Sequence, residues 1–362
     1  MLSKSMNNKK EMQTTIVEVK NNHQLEEVSK EEFLGILRLV APGTNLRSGL
    51  NGIVDAKKGA LIVVDNEFVG PLLDGGFKVN CRFTSQRIIE LAKMDGAIVL
   101  SKDMKRILFA NTSLAPDSRI PTKETGTRHK AAERTAKMTG NLTIAISERK
   151  NEINLYYKNM KYHLRTTQEI LRSSSETLQI LEKQRELFDQ NLSTLHQMEL
   201  KNKISLRHAS KVIQKGMAMG KILESQEKTL IELGNEAVAL KLRIKELIKD
   251  VEKETELVIK DYSRLNLKKS KDLLSTLSYE DLIDLDNILI ALGQRENKGM
   301  DSIQGWRMLS KTNISEKEIA SILNKMENLN KVINANPNVF RNILDKETAE
   351  QFISELQKIK DF

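Results

Sequence analysis

Between Met94 and Arg149 the chain carries two short patterns whose residue types suit phosphate chemistry. The first is Asp95-Gly96-Ala97, which runs into the apolar Ile98-Val99-Leu100, so an acid sits beside a glycine at the mouth of a strand. Without a Cβ, that glycine lets a ligand come close to the backbone. The second is Gly126-Thr127, which opens a helical stretch whose first turn carries Arg128, His129 and Lys130. Cations there oppose the helix dipole and cost roughly a few tenths of a kcal/mol each unless an anion is near. Free N–H groups and cations at one helix start make an anion site.

The elements that must position these residues follow from period and turn signals. Ile98–Leu100, Arg106–Asn111 and Leu142–Ser147 read as strands. Thr127–Met138 reads as the helix among them, with Thr127 as its cap and Gly140 at the C′ position. Upstream, Glu31–Val40 and Arg47–Ala56 have helical spacing, and Ala60–Val64 is an apolar run of strand length. Asp74-Gly75-Gly76 is a turn, Phe77–Cys81 a strand, and Ser85–Lys93 a helix capped by Thr84 or Ser85. Glu152–Tyr157 and Tyr162–Leu164 complete a hairpin. The expected fold of residues 31–165 is α/β, a mixed sheet flanked by helices.

Eleven of the seventeen glycines lie at or before Gly140, which marks a boundary between turn-rich α/β and nearly pure helix. From Thr166 to Leu265 there is no proline, and Leu171, Leu178, Leu181, Phe188, Leu192 and Leu195 follow a seven-residue repeat. Leu240, Ile244, Leu247, Val251 and Val258 follow another, with a less regular helical stretch from Ile204 to Leu233 between them. Residues 166–300 are therefore expected to form an all-α spine of three long helices, in a bundle or antiparallel coiled coil. Residues 301–362 read as short helices in a small all-α domain.

The chain has 362 residues and a net charge of +9, enough length for two or three domains and a sizeable core. The positive balance fits a solvated basic surface or a polyanionic partner, nucleotide or nucleic acid. Cys81 is the only cysteine, which excludes an internal disulfide and a cysteine-based zinc site and fits a reducing, cytoplasmic setting. The five histidines show no metal-ligand spacing. No apolar run approaches the roughly 18 residues of a membrane span, so no membrane partner is expected. Residues 1–30 are polar, lack the apolar segment of a signal peptide, and read as a disordered arm.

The order and spacing of Asp95-Gly96-Ala97, Ala110-Asn111-Thr112 with Leu114, Glu124-Thr-Gly-Thr-Arg-His129, Ala132-Glu133-Arg134 and Ile146-Ser-Glu-Arg149 resemble the diadenylate cyclase family. That family carries a DGA motif and an RHR motif at this separation. Val40-Ala-Pro-Gly-Thr44, Gly59-Ala-Leu-Ile-Val-Val64 and Asp74-Gly-Gly76 fit the same pattern. With its helical spine and tail, the chain is similar to the DisA branch of that family, which scans DNA integrity. The resemblance implies an enzyme that joins two ATP into the second messenger cyclic di-AMP and releases two diphosphates. It implies that Asp95 binds Mg²⁺ or Mn²⁺ and helps activate the attacking 3′-hydroxyl. Gly96 and Ala97 would lie against the nucleotide, Leu114 would meet the adenine through its main chain, and Ser147 would line the pocket. Thr127, Arg128, His129, Lys130 and Ala131 would form the phosphate side. Each protomer would hold one ATP, so cyclase domains must meet face to face in a homo-oligomer, an octamer by resemblance.

Two departures carry expectations of their own. Lys130 stands where the family has Arg, and Ala131 where it commonly has Thr, so a bidentate phosphate contact and a hydroxyl are missing. In the tail, the region matching a helix-hairpin-helix turn is Arg341–Ala349, which has no glycine and carries Asp345 and Glu347. That degenerate motif predicts weak DNA binding, supported by Arg307, Lys311, Lys325 and Lys331. The rival expectation is a DNA- or protein-binding scaffold whose cyclase domain has decayed.

Overall fold

The computed structural model describes residues 27–294 and 302–360. The expected arm lies mostly, and the expected loop Asn297–Asp301 wholly, outside them. The chain divides into two compact units, one running to Ser173 together with Lys228–Val238, the other comprising Ser174–Glu227 and Ala239 onward.

In the first unit, Ser29 and Glu32 form a reciprocal capping box at the start of helix α1 (Lys30–Leu39). Thr44 caps α2 (Asn45–Asp55), and Thr84, one of the two candidates expected, caps α3 (Ser85–Leu91). Eight strands build one sheet: β1 (Ala60–Val64), β2 (Leu73–Asp74), β3 (Phe77–Arg82), β4 (Ala97–Leu100), β5 (Arg106–Leu114), β6 (Thr143–Ser147), β7 (Glu152–Tyr157) and β8 (Met160–Leu164). Their order is β2-β5-β4-β1-β6-β7-β8, with β3 also paired to β5. Only β1 and β4 run parallel, so the sheet is mixed, as the sequence predicts.

All five residues of β1 are buried because helices cover both faces. Ala60, Ile62 and Val64 join Leu50 and Ile53 of α2 and Ile88 of α3 in one layer. Leu61 faces the other way, toward Ala132 and Ala136 of α4 (Thr127–Thr139), in a cluster that includes Ala97, Ala145 and Tyr156. The side chains between α4 and the sheet are mostly alanines, so the helix can lie close to the strands. Gly140, at φ 66, ends α4 in the left-handed conformation that its lack of a Cβ allows.

The second unit is helical: α5 (Thr167–Leu200) and α6 (Leu206–Glu232) supply most of their length to it, followed by α7 (Val238–Ile248), α8 (Val251–Tyr262), α9 (Leu267–Thr276) and α10 (Leu285–Ala291). Leu181, Phe188 and Leu195 are buried, as the heptad requires, but Leu171 is exposed while its neighbour Ile170 is buried. The third long helix expected from Leu240 to Val258 is two helices, because Asp250 adopts a left-handed φ of 62° between α7 and α8. Asp261 is fully buried, and its carboxylate accepts from the N–H groups of Gly305, Trp306 and Arg307 at 2.7–2.9 Å. Arg307, expected among the cations that support DNA binding, is instead fully buried and pairs with buried Glu199, which also accepts from the Tyr262 hydroxyl at 3.0 Å.

The tail comprises α11 (Trp306–Leu309), α12 (Glu316–Met326), α13 (Leu329–Ile333), α14 (Pro337–Arg341) and α15 (Lys346–Lys360). They close on a core that includes Ile322, Val332, Phe340, Leu344 and Phe352. In the turn between α14 and α15, Leu344 points into that core and the Asp345 carboxylate accepts from Thr348 N–H at 3.1 Å. The acid thus caps its own helix with an amide that a glycine hairpin would leave for a phosphate.

Candidate functional site

The register of the sheet brings the two sequence patterns to one edge. Ala97 opens β4 opposite Thr112 of β5, and the parallel partner β1 opens at the same end, with Ala60 opposite Ile146 of β6. Asp95-Gly96, the start of β1, the Thr112–Leu114 end of β5 and Ser147 at the end of β6 therefore share an edge. The N-terminus of α4 reaches it too, since Arg128 Nη1 lies 3.5 Å from the Ile146 carbonyl. Asp95, Gly96, Gly126 and Thr127 are all exposed there, so the site is an open rim rather than a closed cavity.

The Asp95-Gly96 turn is fixed by backbone contact. Gly96 has φ 90, and a Cβ there would fall 2.8 Å from the Asn111 carbonyl carbon and 2.9 Å from Thr112 N. Gly76, at φ 76, closes on Thr112 from its other neighbour, with a would-be Cβ 2.5 Å from the Thr112 hydroxyl oxygen. Between Ala97 and Val99 the β4–β5 register shifts, and Asn111 on the facing strand is left-handed at φ 53. The glycines and the bulge together set the angle at which Asp95 leaves the strand. Asp95 makes no hydrogen bond or ion pair among the described residues.

The helix start differs from expectation in one respect. Gly126, not Thr127, is the N-cap of α4, and it offers no side chain to the helix. Lys130 N–H is the first to bond back, to Gly126 O at 2.9 Å. The amides of Thr127, Arg128 and His129 are left without an intrahelical acceptor, and the first turn contains no acid. This combination favours an anion. Lys130 is half-buried and unpaired among the described residues, and Ala131 packs toward the alanine layer. The Ser147 oxygen accepts from Lys150 N–H at 3.3 Å, leaving its own proton free to donate outward. Leu114 pairs with Leu73 at the rim.

Three residues to which the sequence reading gave no role of their own shape the site. Gly59 is the seat of Arg128: a Cβ on it would fall 2.1 Å from Arg128 Nη1 and 2.6 Å from Cζ. Tyr156 is buried under α4, and its ring meets the His129 ring edge-on at 6.5 Å. Its hydroxyl donates to Glu124 at 3.0 Å. Burial pushes the His129 imidazole below its ordinary range, Glu124 pulls the other way, and Lys161 and Arg128 reinforce the burial. The net direction favours the neutral ring. The signals were present in the sequence as Gly59 before an apolar run and Glu124 before Gly126, but the contacts they make are remote in the chain.

Among the described residues no three His, Cys, Asp or Glu side chains gather into a metal cage. A divalent cation here would need the substrate's own phosphates to complete its shell. One exposed, unpaired carboxylate suits Mg²⁺, which keeps few protein ligands and takes oxygen from phosphates and water. No described helix is long and apolar enough to cross a membrane.

The comparisons with known proteins agree along most of the length. The family described as DisA bacterial checkpoint controller nucleotide-binding matches residues 47–161, and the DisA bacterial checkpoint controller linker region matches residues 164–300. The DNA integrity scanning protein DisA of Acetivibrio thermocellus is 40% identical over 320 residues, covering 86% of this chain and 89% of the relative. That of Clostridium botulinum strain Loch Maree is 41% identical over 288 residues, covering 78% and 81%. That of Clostridium acetobutylicum is 38% identical over 311 residues, covering 84% and 87%. With a nucleotide-binding domain and linker in sequence, and relatives this similar over 78–86% of its length, the chain belongs to the DisA family.

Proposed function

We propose that this chain is a cytoplasmic diadenylate cyclase that converts two ATP into cyclic di-AMP and two diphosphates. One observation carries the reading: the Asp95-Gly96 turn and the uncapped, cationic start of α4 stand on the same open edge of a nucleotide-binding domain. In the reaction each ribose 3′-oxygen attacks the α-phosphorus of the other ATP. A new P–O bond forms, the bond to the β-phosphate oxygen breaks, and the hydroxyl proton passes to solvent or base. Such displacements need charge neutralisation and alignment more than covalent help.

Asp95 is the catalytic residue in this reading, a metal ligand beside the attacking hydroxyl. Asp95 would hold Mg²⁺ or Mn²⁺, which would supply charge neutralisation at the α-phosphate. Gly96 and Ala97 let the nucleotide lie against the strand, and Leu114 contacts the base through its main chain. The free amides of Thr127, Arg128 and His129, with the Arg128, His129 and Lys130 side chains, hold phosphate oxygens. Ala131 leaves room where a hydroxyl would otherwise donate, and Ser147 lines the floor. One edge presents one nucleotide, so two domains must face each other in a homo-oligomer, taken as an octamer by family resemblance. The tail binds DNA weakly at most.

The test is direct. Full-length protein with ATP and Mg²⁺ or Mn²⁺ should yield cyclic di-AMP and diphosphate, and Asp95→Asn should nearly abolish both while assembly stays intact. Folded, oligomeric wild type that binds ATP yet forms no cyclic product would overturn the reading and favour the scaffold.

A further inference from the structure

Residues 115–126, between β5 and α4, form a strap without strand or helix of its own. It is tied to α4 at three points: Arg134 Nε donates to Ile120 O at 3.0 Å, Lys137 Nζ to Pro121 O at 2.8 Å, and the Thr122 hydroxyl to Glu133. Its last tie is different. Glu124 reaches away from α4 to the sheet, where it accepts from the Tyr156 hydroxyl at 3.0 Å and pairs with Lys161 of β8 at 2.5 Å. Tyr156 is only 1% exposed and sits in the alanine layer beneath α4, so its hydroxyl is a fixed point. The same ring faces His129 edge-on. On its other side, His129 Nδ1 lies 3.6 Å from where a Gly126 Cβ would be.

We propose that Glu124 is a positioning residue for the phosphate-gripping turn, anchoring the strap to Tyr156 and Lys161 and so fixing Gly126 and the His129 ring. Two residues separate Glu124 from the helix start, so little slack remains between anchor and turn. A carboxylate suits the task because it accepts from a neutral hydroxyl and an ammonium at once. Tyr156 acts from both sides, holding Glu124 by its oxygen and His129 by its ring. Lys161 offsets the Glu124 charge, leaving the cationic turn free to meet an external anion. The inference rests on the cyclase reading for its kinetic consequence but not for its geometry.

The experiment uses full-length protein with Glu124→Ala, Glu124→Gln and Tyr156→Phe, singly and combined with His129→Ala. Loss of a positioning contact near reacting groups costs on the order of tenfold to a hundredfold. Glu124→Ala should lose that much in kcat/KM, mostly in kcat, while staying folded with an unfolding midpoint lowered by only a few degrees, the cost of leaving the buried Tyr156 hydroxyl without its acceptor. Glu124→Gln, which keeps an acceptor for Tyr156, should recover most of it, and Tyr156→Phe should fall between. In the His129→Ala background, Glu124→Ala should cost less than about twofold more, because residues acting through one another are not additive. His129 ring resonances in nitrogen-labelled protein should shift in Glu124→Ala and return in Glu124→Gln, a readout that needs no turnover. Unmoved ring resonances, or full multiplicative loss in the double variant, would overturn the proposal. A wild type that makes no cyclic product while Glu124→Ala still shifts His129 would sink the cyclase reading alone.

Discussion

Replacing Gly59 by alanine separates function from folding at this site. Gly59 lies outside the left-handed region, so alanine can adopt its backbone without strain. The added methyl meets only the far end of Arg128, with Nη1 at 2.1 Å, Cζ at 2.6 Å and Nη2 at 2.9 Å. Ordinary contact needs about 3.4 Å or more, so the guanidinium must withdraw by about 1 Å. The unfolded chain loses entropy, which stabilises by about 0.4–1 kcal/mol, and this offsets the repacking of one flexible side chain. Thermal unfolding should therefore move by no more than about 3 °C. A charge-assisted hydrogen bond to a phosphate is worth about 1.5–3 kcal/mol. Losing it predicts a fall of about 10- to 150-fold in kcat/KM for cyclic di-AMP formation. Gly70→Ala, where a methyl would meet open space, is the control and should be silent. Wild-type kcat/KM in Gly59→Ala, at wild-type stability, would refute the seat of Arg128 as a determinant of phosphate binding.

Gly96→Ala should behave oppositely, because its methyl meets backbone at 2.8–3.0 Å and φ is 90. It should cost about 1–3 kcal/mol of stability along with nearly all activity, read by melting and turnover together. Lys130→Arg should raise ATP affinity or rate by restoring a bidentate fork, and Ala131→Thr should add to it. Unchanged kinetics in both would show that the pocket fits lysine. Burial, with Lys311 and Arg307 nearby, pushes His196 down to about 4, so the folded state favours the neutral ring. Its contribution is complete above the unfolded value near 6.5 and is lost as pH falls toward 4, so His196→Gln should flatten that part of a denaturation-versus-pH curve. Binding to branched and linear DNA should be weak, indifferent to structure, and gone near physiological salt. A salt titration showing tight, branch-selective binding that disappears in a truncation ending near Asn297 would reverse that expectation.

Much of this architecture could be read locally. The strand at Ala60–Val64, the caps at Thr84 and Gly140 and the helices of the tail each carry their signal within a few residues, and each appears where that signal puts it. The errors arise where a local rule met a competing contact. Thr127 has the side chain of a cap, yet Gly126 takes the position and leaves the amides open. The heptad from Leu240 to Val258 is continuous, yet the helix breaks at Asp250, because a periodic stripe reports which side is buried and not whether the axis is straight.

The candidate site divides the same way. Asp95, Gly96 and Arg128 announce themselves by type and order, but what holds them is set by residues far along the chain. Gly59 makes room for a guanidinium 69 positions later, and Tyr156 holds an acid 32 positions earlier. Sequence spacing cannot reveal such pairs until the sheet register joins β1 to β6 and β6 to β7. The tail gives the converse case. Asp345 looks in sequence like a repulsive charge in a phosphate-binding turn, and in the fold its carboxylate also takes up the Thr348 amide. A phosphate would have to displace that cap as well as face the charge. For a DNA contact at this turn, the lost donor and the added repulsion act in the same direction, so removing the charge alone, as in Asp345→Asn, leaves the cap in place and restores only part of the binding.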